Sequence, residues 1–163
     1  MFAGDIVTFD TQSKVKMLVI EEWTVRGANA DIGEENEGER LKQVGFSPIL
    51  SQETIDDYVA KNAKSHQLTK SFDIKLEYAL TSREKIGQIF KSGPAGWDEF
   101  YRQFPDSGGY LSLSRAGLNT NSDQALVYVE SSCGELCGTG SYQLLVKNDQ
   151  GWAVQKRYVR WMS

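Results

Sequence analysis

The run Ala125-Leu126-Val127-Tyr128-Val129 and the run Tyr142-Gln143-Leu144-Leu145-Val146 decide the fold predicted for this chain of 163 residues. The first run is apolar on both faces, as a central strand is. Before them, Tyr110-Leu111-Ser112-Leu113-Ser114-Arg115 alternates leucine with serine at the period of a half-buried strand. After them, residues 152–161 combine apolar and basic side chains in a way typical of an edge strand. The four runs predict an antiparallel meander within residues 109–163.

Both cysteines, Cys133 and Cys137, fall between the two central runs, with three residues between them and glycines after them. A tight hairpin would bring their Cα atoms to within about 4.5–5.5 Å, a separation that a disulfide accepts. We therefore favour a short structural disulfide, with two reduced structural cysteines as the first alternative. A thiol redox pair normally has two intervening residues at a helix N-terminus. A metal site needs further ligands, and the chain has a single histidine, His66. We predict neither a metal nor a cofactor.

Upstream of the meander the patterns predict helices and further strands. Residues 5–10, 15–25 and 72–80 have the composition or the alternation of strands. Ser51 is a favourable N-cap for a helix that places Ile55, Tyr58 and Val59 on one face. Thr81 and Glu84 form a capping box for a second helix. These elements predict the α+β class: a mostly antiparallel sheet ending in a four-stranded meander, covered on one face by two or three helices. A cystatin-like or nuclear-transport-factor-like half-barrel is an analogy that carries no function.

Residues 26–45 mix glycines with Asp31, Glu34, Glu35, Glu37 and Glu39, which predicts a flexible acidic loop inside a single domain spanning residues 1–163. Calcium binding is the alternative for this segment. The acidic residues do not, however, have the spacing of an EF-hand loop.

Four aromatic residues at helical spacing end the helical part of the chain: Trp97, Phe100, Tyr101 and Phe104, followed by Pro105. Such a stripe usually belongs to a core. If the protein has a pocket, we expect Trp97, Phe100 and Tyr101 to line it, together with Tyr128 and Tyr142 of the meander. We predict no catalytic residues, because Ser112 and Ser114 lie outside any nucleophile elbow and His66 has no visible nucleophile partner.

Composition limits the class of partner. The formal net charge of −4 argues against nucleic acid, whose phosphates require a basic surface. No run approaches the roughly 20 apolar residues of a membrane span. The first residues, Met1-Phe2-Ala3-Gly4-Asp5, lack the features of a signal peptide. The sequence therefore fits either a cytoplasmic protein or one from which a signal or membrane anchor has been removed.

Several short motifs resemble a family of uncharacterised bacterial proteins, many of them exported or membrane-anchored. The motifs are Gly96-Trp97-Asp98-Glu99-Phe100-Tyr101, Phe104-Pro105, Gly109–Ser114, Ala125–Val129, Cys133–Leu145, Gly151–Val154 and Trp161-Met162-Ser163. Weaker similarity extends back to Leu50-Ser51 and Asn62, so the resemblance covers roughly residues 50–163. The sequence departs from the family pattern at Ala116 and Leu118, where the family more usually has a bulkier apolar residue and an aromatic residue, respectively. The resemblance implies a periplasmic or extracellular location and no activity.

Three functions are consistent with these observations. The first is a non-enzymatic extracytoplasmic binding or interaction module whose partner is an unknown protein or small molecule. The second is a small-molecule-binding or hydrolytic domain that uses carboxylates in a concave sheet. The third is a thiol redox protein. A deep pocket with a buried acid of shifted pKa would favour the second function, and a flat exposed apolar patch would favour the first.

Overall fold

A computed structural model of the chain describes residues 15–26, 37–43, 45–46 and 48–163. The described residues form an α+β structure built on a mixed, mostly antiparallel open sheet, as predicted. Its strands are β1 (Met17–Glu21), β2 (Glu77–Thr81), β3 (Ser107–Leu113), β4 (Gly117–Leu118), β5 (Gln124–Gly134), β6 (Cys137–Asn148) and β7 (Gly151–Met162). Its helices are α1 (Glu37–Gln43), α2 (Gln52–Lys61), α3 (Arg83–Ile89) and α4 (Gly96–Gln103), with a 3-10 segment at Phe90–Ala95.

The strand order in the sheet is β2-β1-β3-β5-β6-β7, and the short strand β4 also pairs with β5. The predicted meander is confirmed, since β3, β5, β6 and β7 pair antiparallel in sequence order. β5 is central and β7 lies at the edge, as their composition predicts. β1 runs parallel to both of its neighbours, β2 and β3.

Alternating side chains give the sheet two different faces. We call the face that carries Val19, Tyr110 and Tyr128 the helical face, because α1 and α2 pack over one half of it and α3 and α4 over the other. The opposite face carries Leu18, Leu111 and Val127. We call it the open face, and its apolar partners come from irregular segments and turns, among them Leu68, Phe72, Ile74 and Ala116.

Three upstream elements differ from the sequence prediction. The predicted strand 72–80 begins only at Glu77, because Phe72 and Ile74 leave the sheet and pack across its open face. The strand predicted at 15–25 is reduced to Met17–Glu21. Ser82, not Thr81, caps α3: its side-chain oxygen accepts a hydrogen bond from the backbone N–H of Lys85, while Thr81 is the last residue of β2.

The predicted acidic loop is partly helical. Glu37–Gln43 forms α1 because Leu41, 1% exposed, packs with Ile55 and Tyr58 of α2, so burial of this side chain stabilises a helix that local composition did not predict. Residues 27–36, which hold the other acidic positions, and the strand predicted at 5–10 lie outside the described residues. Within the described part of the chain, no helix combines the length and the apolar character that crossing a membrane requires.

Candidate ligand-binding site

An apolar cavity of about 290 Å³ opens on the open face of the sheet. Its floor consists of side chains from the three adjacent strands β1, β3 and β5, among them Ile20, Leu111 and Val127. These positions are buried because strict alternation turns them away from the helices. The complete lining is Leu18, Ile20, Lys61, Leu68, Phe72, Leu111, Leu113, Ser114, Arg115, Ala116, Leu118, Val127, Tyr128 and Val129.

One wall of the cavity is an irregular segment, residues 66–76, which we call the cover segment. It is tied to the chain after β1, where the N–H of Thr24 donates to the carbonyl of His66 at 2.9 Å and the N–H of Leu68 to the carbonyl of Glu22 at 2.6 Å. Further along, the N–H of Phe72 donates to the hydroxyl of Tyr78 at 3.0 Å. The cover segment is thus held by a few bonds and contributes Leu68 and Phe72 to the lining.

The opposite wall is the turn between β3 and β4, which α2 holds in place. Asn62, at the end of α2, accepts a hydrogen bond from the N–H of Arg115 at 2.8 Å and donates one to its carbonyl at 3.0 Å. Gly117 lies against the backbone of Tyr58 so closely that any Cβ at position 117 would collide with it. This close approach requires glycine and brings Ala116 and Leu118 to the cavity.

Two cationic side chains, Lys61 and Arg115, belong to the lining. Lys61 forms a salt bridge with Asp57 at 2.6 Å. Burial acts to raise the pKa of Asp57, but hydrogen bonds from Lys61 and from the N–H of Leu118 outweigh it and lower that pKa. Arg115 forms no salt bridge with another described residue, and its guanidinium lies 3.4 Å from Nε2 of His66. The mouth of an otherwise apolar cavity therefore carries excess positive charge.

On the helical face, two buried tyrosines donate hydrogen bonds to partly buried glutamates, one in α1 and one in β5 itself. The hydroxyl of Tyr142 donates to Glu37, and that of Tyr128 donates to Glu130 at 3.0 Å. Burial raises the pKa of both Glu37 and Glu130, more than these hydrogen bonds lower it. Both carboxyl groups belong to the face opposite the cavity, so they do not supply an acid to it.

The aromatic residues singled out from the sequence fall into two separate clusters on the helical face. Trp97, Phe100 and Tyr101 contact one another on α4 and pack on Tyr110 of β3. Tyr128 and Tyr142 contact each other, with ring centroids 4.8 Å apart, in the cluster under α2. Phe100 and Tyr142 are fully or almost fully buried, with 0% and 1% exposure, and so serve packing. Of these five residues, Trp97 lines a surface groove beside α4, and Tyr128 belongs to the lining of the cavity on the open face.

The sequence does not predict the cavity, although two of its features point to the cavity walls. The alternation of Phe72 and Ile74 predicts a strand, and it indicates apolar side chains that need a buried partner. Ala116 and Leu118, the two departures from the resemblance, both line the cavity. Smaller side chains at these positions leave space that larger ones would fill.

At the end of the β5–β6 hairpin, Cys133 and Cys137 lie at disulfide-bonding distance, with Cα atoms 5.1 Å apart. The hydroxyl of Tyr101 donates to the carbonyl of Cys133 at 2.8 Å, which ties α4 to this hairpin. The cysteine pair thus lies at the edge of the helical face, away from the lining of the cavity.

The fold and the cavity together define an α+β protein whose open sheet carries helices on one face and an apolar, cation-rimmed cavity on the other. Comparison with protein-family models, with curated proteins and with solved structures finds no match to this chain.

Proposed function

We propose that the protein is a non-enzymatic binding protein for a small amphiphile, one with a short apolar tail and an anionic head. The tail occupies the cavity on the open face, and the head lies at its mouth beside Arg115 and Lys61. The observation that carries this proposal is an apolar cavity of about 290 Å³ whose lining includes two cations.

The dimensions of the cavity support a small ligand. Its volume lies at the lower end of the roughly 300–1,000 Å³ range of small-molecule sites. If each tail atom takes about the 30 Å³ that a water molecule takes in the liquid, the cavity accepts a tail of roughly six to ten carbon atoms. Each buried methylene then contributes about 0.8 kcal/mol, which is about a fourfold gain in affinity.

The chemistry of the lining supports binding over catalysis. Most of the cavity lining consists of aliphatic and aromatic side chains, and Ser114 contributes an aliphatic hydroxyl group to it. That hydroxyl already donates to the carbonyl of Arg115 at 3.1 Å and accepts from the N–H of Tyr128 at 2.8 Å. Arg115 offers a planar set of donors that matches a carboxylate or a phosphate.

We also propose an extracytoplasmic location. The cysteine pair at disulfide distance supports it weakly, because disulfides persist in oxidising compartments. The sequence resemblance favours the same location. Alkylation of the non-reduced protein, purified from its native cell fraction and followed by intact-mass measurement, tests this: labels added only after reduction support it, and labels added without reduction contradict it.

The function is tested by calorimetric titration with straight-chain alkanoates of increasing length. We expect affinity to rise about fourfold per methylene and then to level off when the cavity is filled. A primary alcohol of the same length should bind more weakly, since it lacks the charge that Arg115 attracts.

Matched variants separate the cavity from general surface charge. Arg115→Met removes the proposed head contact and is expected to weaken alkanoate binding several-fold, with little effect on the alcohol. Lys64→Met makes the same charge change at an exposed position outside the lining and should leave both affinities unchanged. Ala116→Leu should weaken both ligands by filling the cavity. An affinity independent of chain length, or equal effects of Arg115→Met and Lys64→Met, would refute the proposal.

A further inference from the structure

A second concave site lies on the helical face, on the far side of the sheet from the cavity. This groove has a volume of about 330 Å³ and runs between the 3-10 segment with α4 on one side and the C-terminal part of β7 on the other. Its aromatic side chains are Phe90, Trp97, Tyr110 and Trp161. The rest of the lining is Gly93, Pro94, Ser132, Gly134, Glu135, Gly138 and Ser163.

Trp161 lies flat against bare backbone on one side of this groove. Its ring atoms approach Gly138 and Gly140 of β6 so closely that a Cβ at either position would collide with the indole. The indole N–H donates to the hydroxyl of Tyr128 at 2.9 Å, and that hydroxyl donates to Glu130. The ring is therefore held by a partly buried chain of two hydrogen bonds, while 37% of the residue is still exposed.

The facing wall consists of stacked rings. Trp97 and Tyr110 lie nearly parallel, with centroids 6.1 Å apart and planes at 20°. Phe90 packs edge-on against Trp97 at 4.7 Å. The hydroxyl of Tyr101 ties α4 to the carbonyl of Cys133, so the wall that carries Trp97 is attached to the hairpin whose Ser132 and Gly134 also line the groove.

Charge distinguishes the groove from the cavity. Glu135 is the one charged side chain among the described residues that line the groove, and no cation lies beside it there. The flat faces of aromatic rings carry partial negative charge and attract cations, most strongly in tryptophan. A saccharide would also stack on these rings, but a neutral sugar gains no charge attraction from the carboxylate of Glu135. Rings and carboxylate together favour an organic cation.

We propose that the groove between Trp97 and Trp161 binds an alkylated ammonium group, with Tyr110 completing the aromatic surface and Glu135 supplying the counter-charge. The ligand class is a quaternary or methylated amine. The site is independent of the amphiphile cavity, because the two lie on opposite faces of one sheet and differ in the sign of their charge.

The test compares choline with 3,3-dimethyl-1-butanol, which has nearly the same shape and no charge. Binding is followed through the indole N–H signals of the isotope-labelled protein in two-dimensional nuclear magnetic resonance, assigned with single Trp→Phe variants. We expect choline to shift the signals of Trp97 and Trp161 and to leave that of Trp23, outside the groove, unchanged. The neutral isostere should bind about tenfold more weakly or not at all.

Variants separate the contribution of the rings from that of the charge. Trp97→Leu should abolish choline binding, and Glu135→Gln should weaken it several-fold. Glu77→Gln makes the same charge change at an exposed position on β2, which lies at the other edge of the sheet, and should have no effect. The backbone signals of each variant report whether it folds, and Trp97→Phe retains a ring if Trp97→Leu unfolds.

Three outcomes would overturn the inference. They are the absence of any shift with choline, equal affinity for choline and its neutral isostere, and shifts caused by a neutral oligosaccharide in place of choline. None of these outcomes affects the alkanoate titration, so the groove and the cavity can fail separately.

Discussion

Gly140 is a position at which a single methyl group is expected to disturb the packing of side chains on the helical face. A Cβ there would collide with both the indole of Trp161 and the hydroxyl of Tyr128. Gly140→Ala must displace the ring and break the hydrogen bond between these two side chains. We expect the free energy of unfolding in urea to fall by about 1–3 kcal/mol, as for overpacking at other well-packed positions.

Gly87 provides the matched control for this substitution. It lies in α3, where an added Cβ meets nothing within 4 Å. Gly87→Ala is expected to stabilise the protein by about 0.5–1 kcal/mol, because alanine loses less backbone entropy in a helix. If both variants lost stability equally, the close packing of Trp161 on Gly140 would not be the cause.

Among the secondary-structure elements, α3 shows how the tertiary fold decides which of two neighbouring residues, Thr81 or Ser82, caps a helix. A capping box at Thr81 and Glu84 is a reasonable prediction, yet the strand β2 extends through Thr81 and makes Ser82 the first residue free to cap. The hydroxyl of Thr81 is buried and has no hydrogen-bond partner among the described residues. The pairing of β2 with β1, which only the tertiary fold fixes, moves the cap by one residue.

Two substitutions test this assignment by opposite effects. Ser82→Ala removes the hydroxyl that accepts from Lys85 N–H at 3.1 Å and should cost about 1 kcal/mol of unfolding free energy. Thr81→Val keeps the shape of the side chain and removes a buried, unpaired hydroxyl, so we expect no loss and up to about 1 kcal/mol of gain. A loss with Thr81→Val alone, measured by chemical denaturation, would restore Thr81 as the cap.

Other elements show why local patterns predict some features and miss others. The meander was predictable because its runs alternate at period two and its hairpins carry the residues that turns require. α2 was predictable from Ser51, whose side chain accepts from Thr54 N–H at 3.2 Å. α1 was not predictable, because its stability comes from the burial of Leu41 against α2, a contact that local composition does not encode.

At the scale of the whole molecule, the way the open face is covered explains why the sequence does not predict the cavity. The sequence specifies which residues of β1, β3 and β5 point to this face, but what covers them depends on the path of the chain between His66 and Glu77. The cover segment runs outside the sheet, and its side chains Leu68 and Phe72 pack over Ile20 and its neighbours. Whether such packing is complete or leaves a cavity is a property of the assembled fold.

The floor of the cavity is held by more hydrogen bonds and buried contacts than the cover segment, and this difference leads to a prediction about dynamics. β5 is paired on both sides and its residues 125–129 are buried, whereas the cover segment is held at a few points such as Leu68 and Phe72. Local opening requires the least free energy where backbone bonds and buried contacts are fewest. We therefore expect the amide hydrogens of the cover segment to exchange many-fold faster than those of Val127 and Val129.

An alkanoate bound in the cavity should slow exchange in the cover segment, because the ligand would contact Leu68 and Phe72 and opening of the segment would have to break those contacts. Amides near Trp161 should be unaffected, since they belong to the opposite face. Measuring exchange by mass spectrometry with and without octanoate tests both statements. If the cover segment exchanged as slowly as β5, it would be part of the rigid core, and a ligand would have to reach the cavity past Arg115 instead.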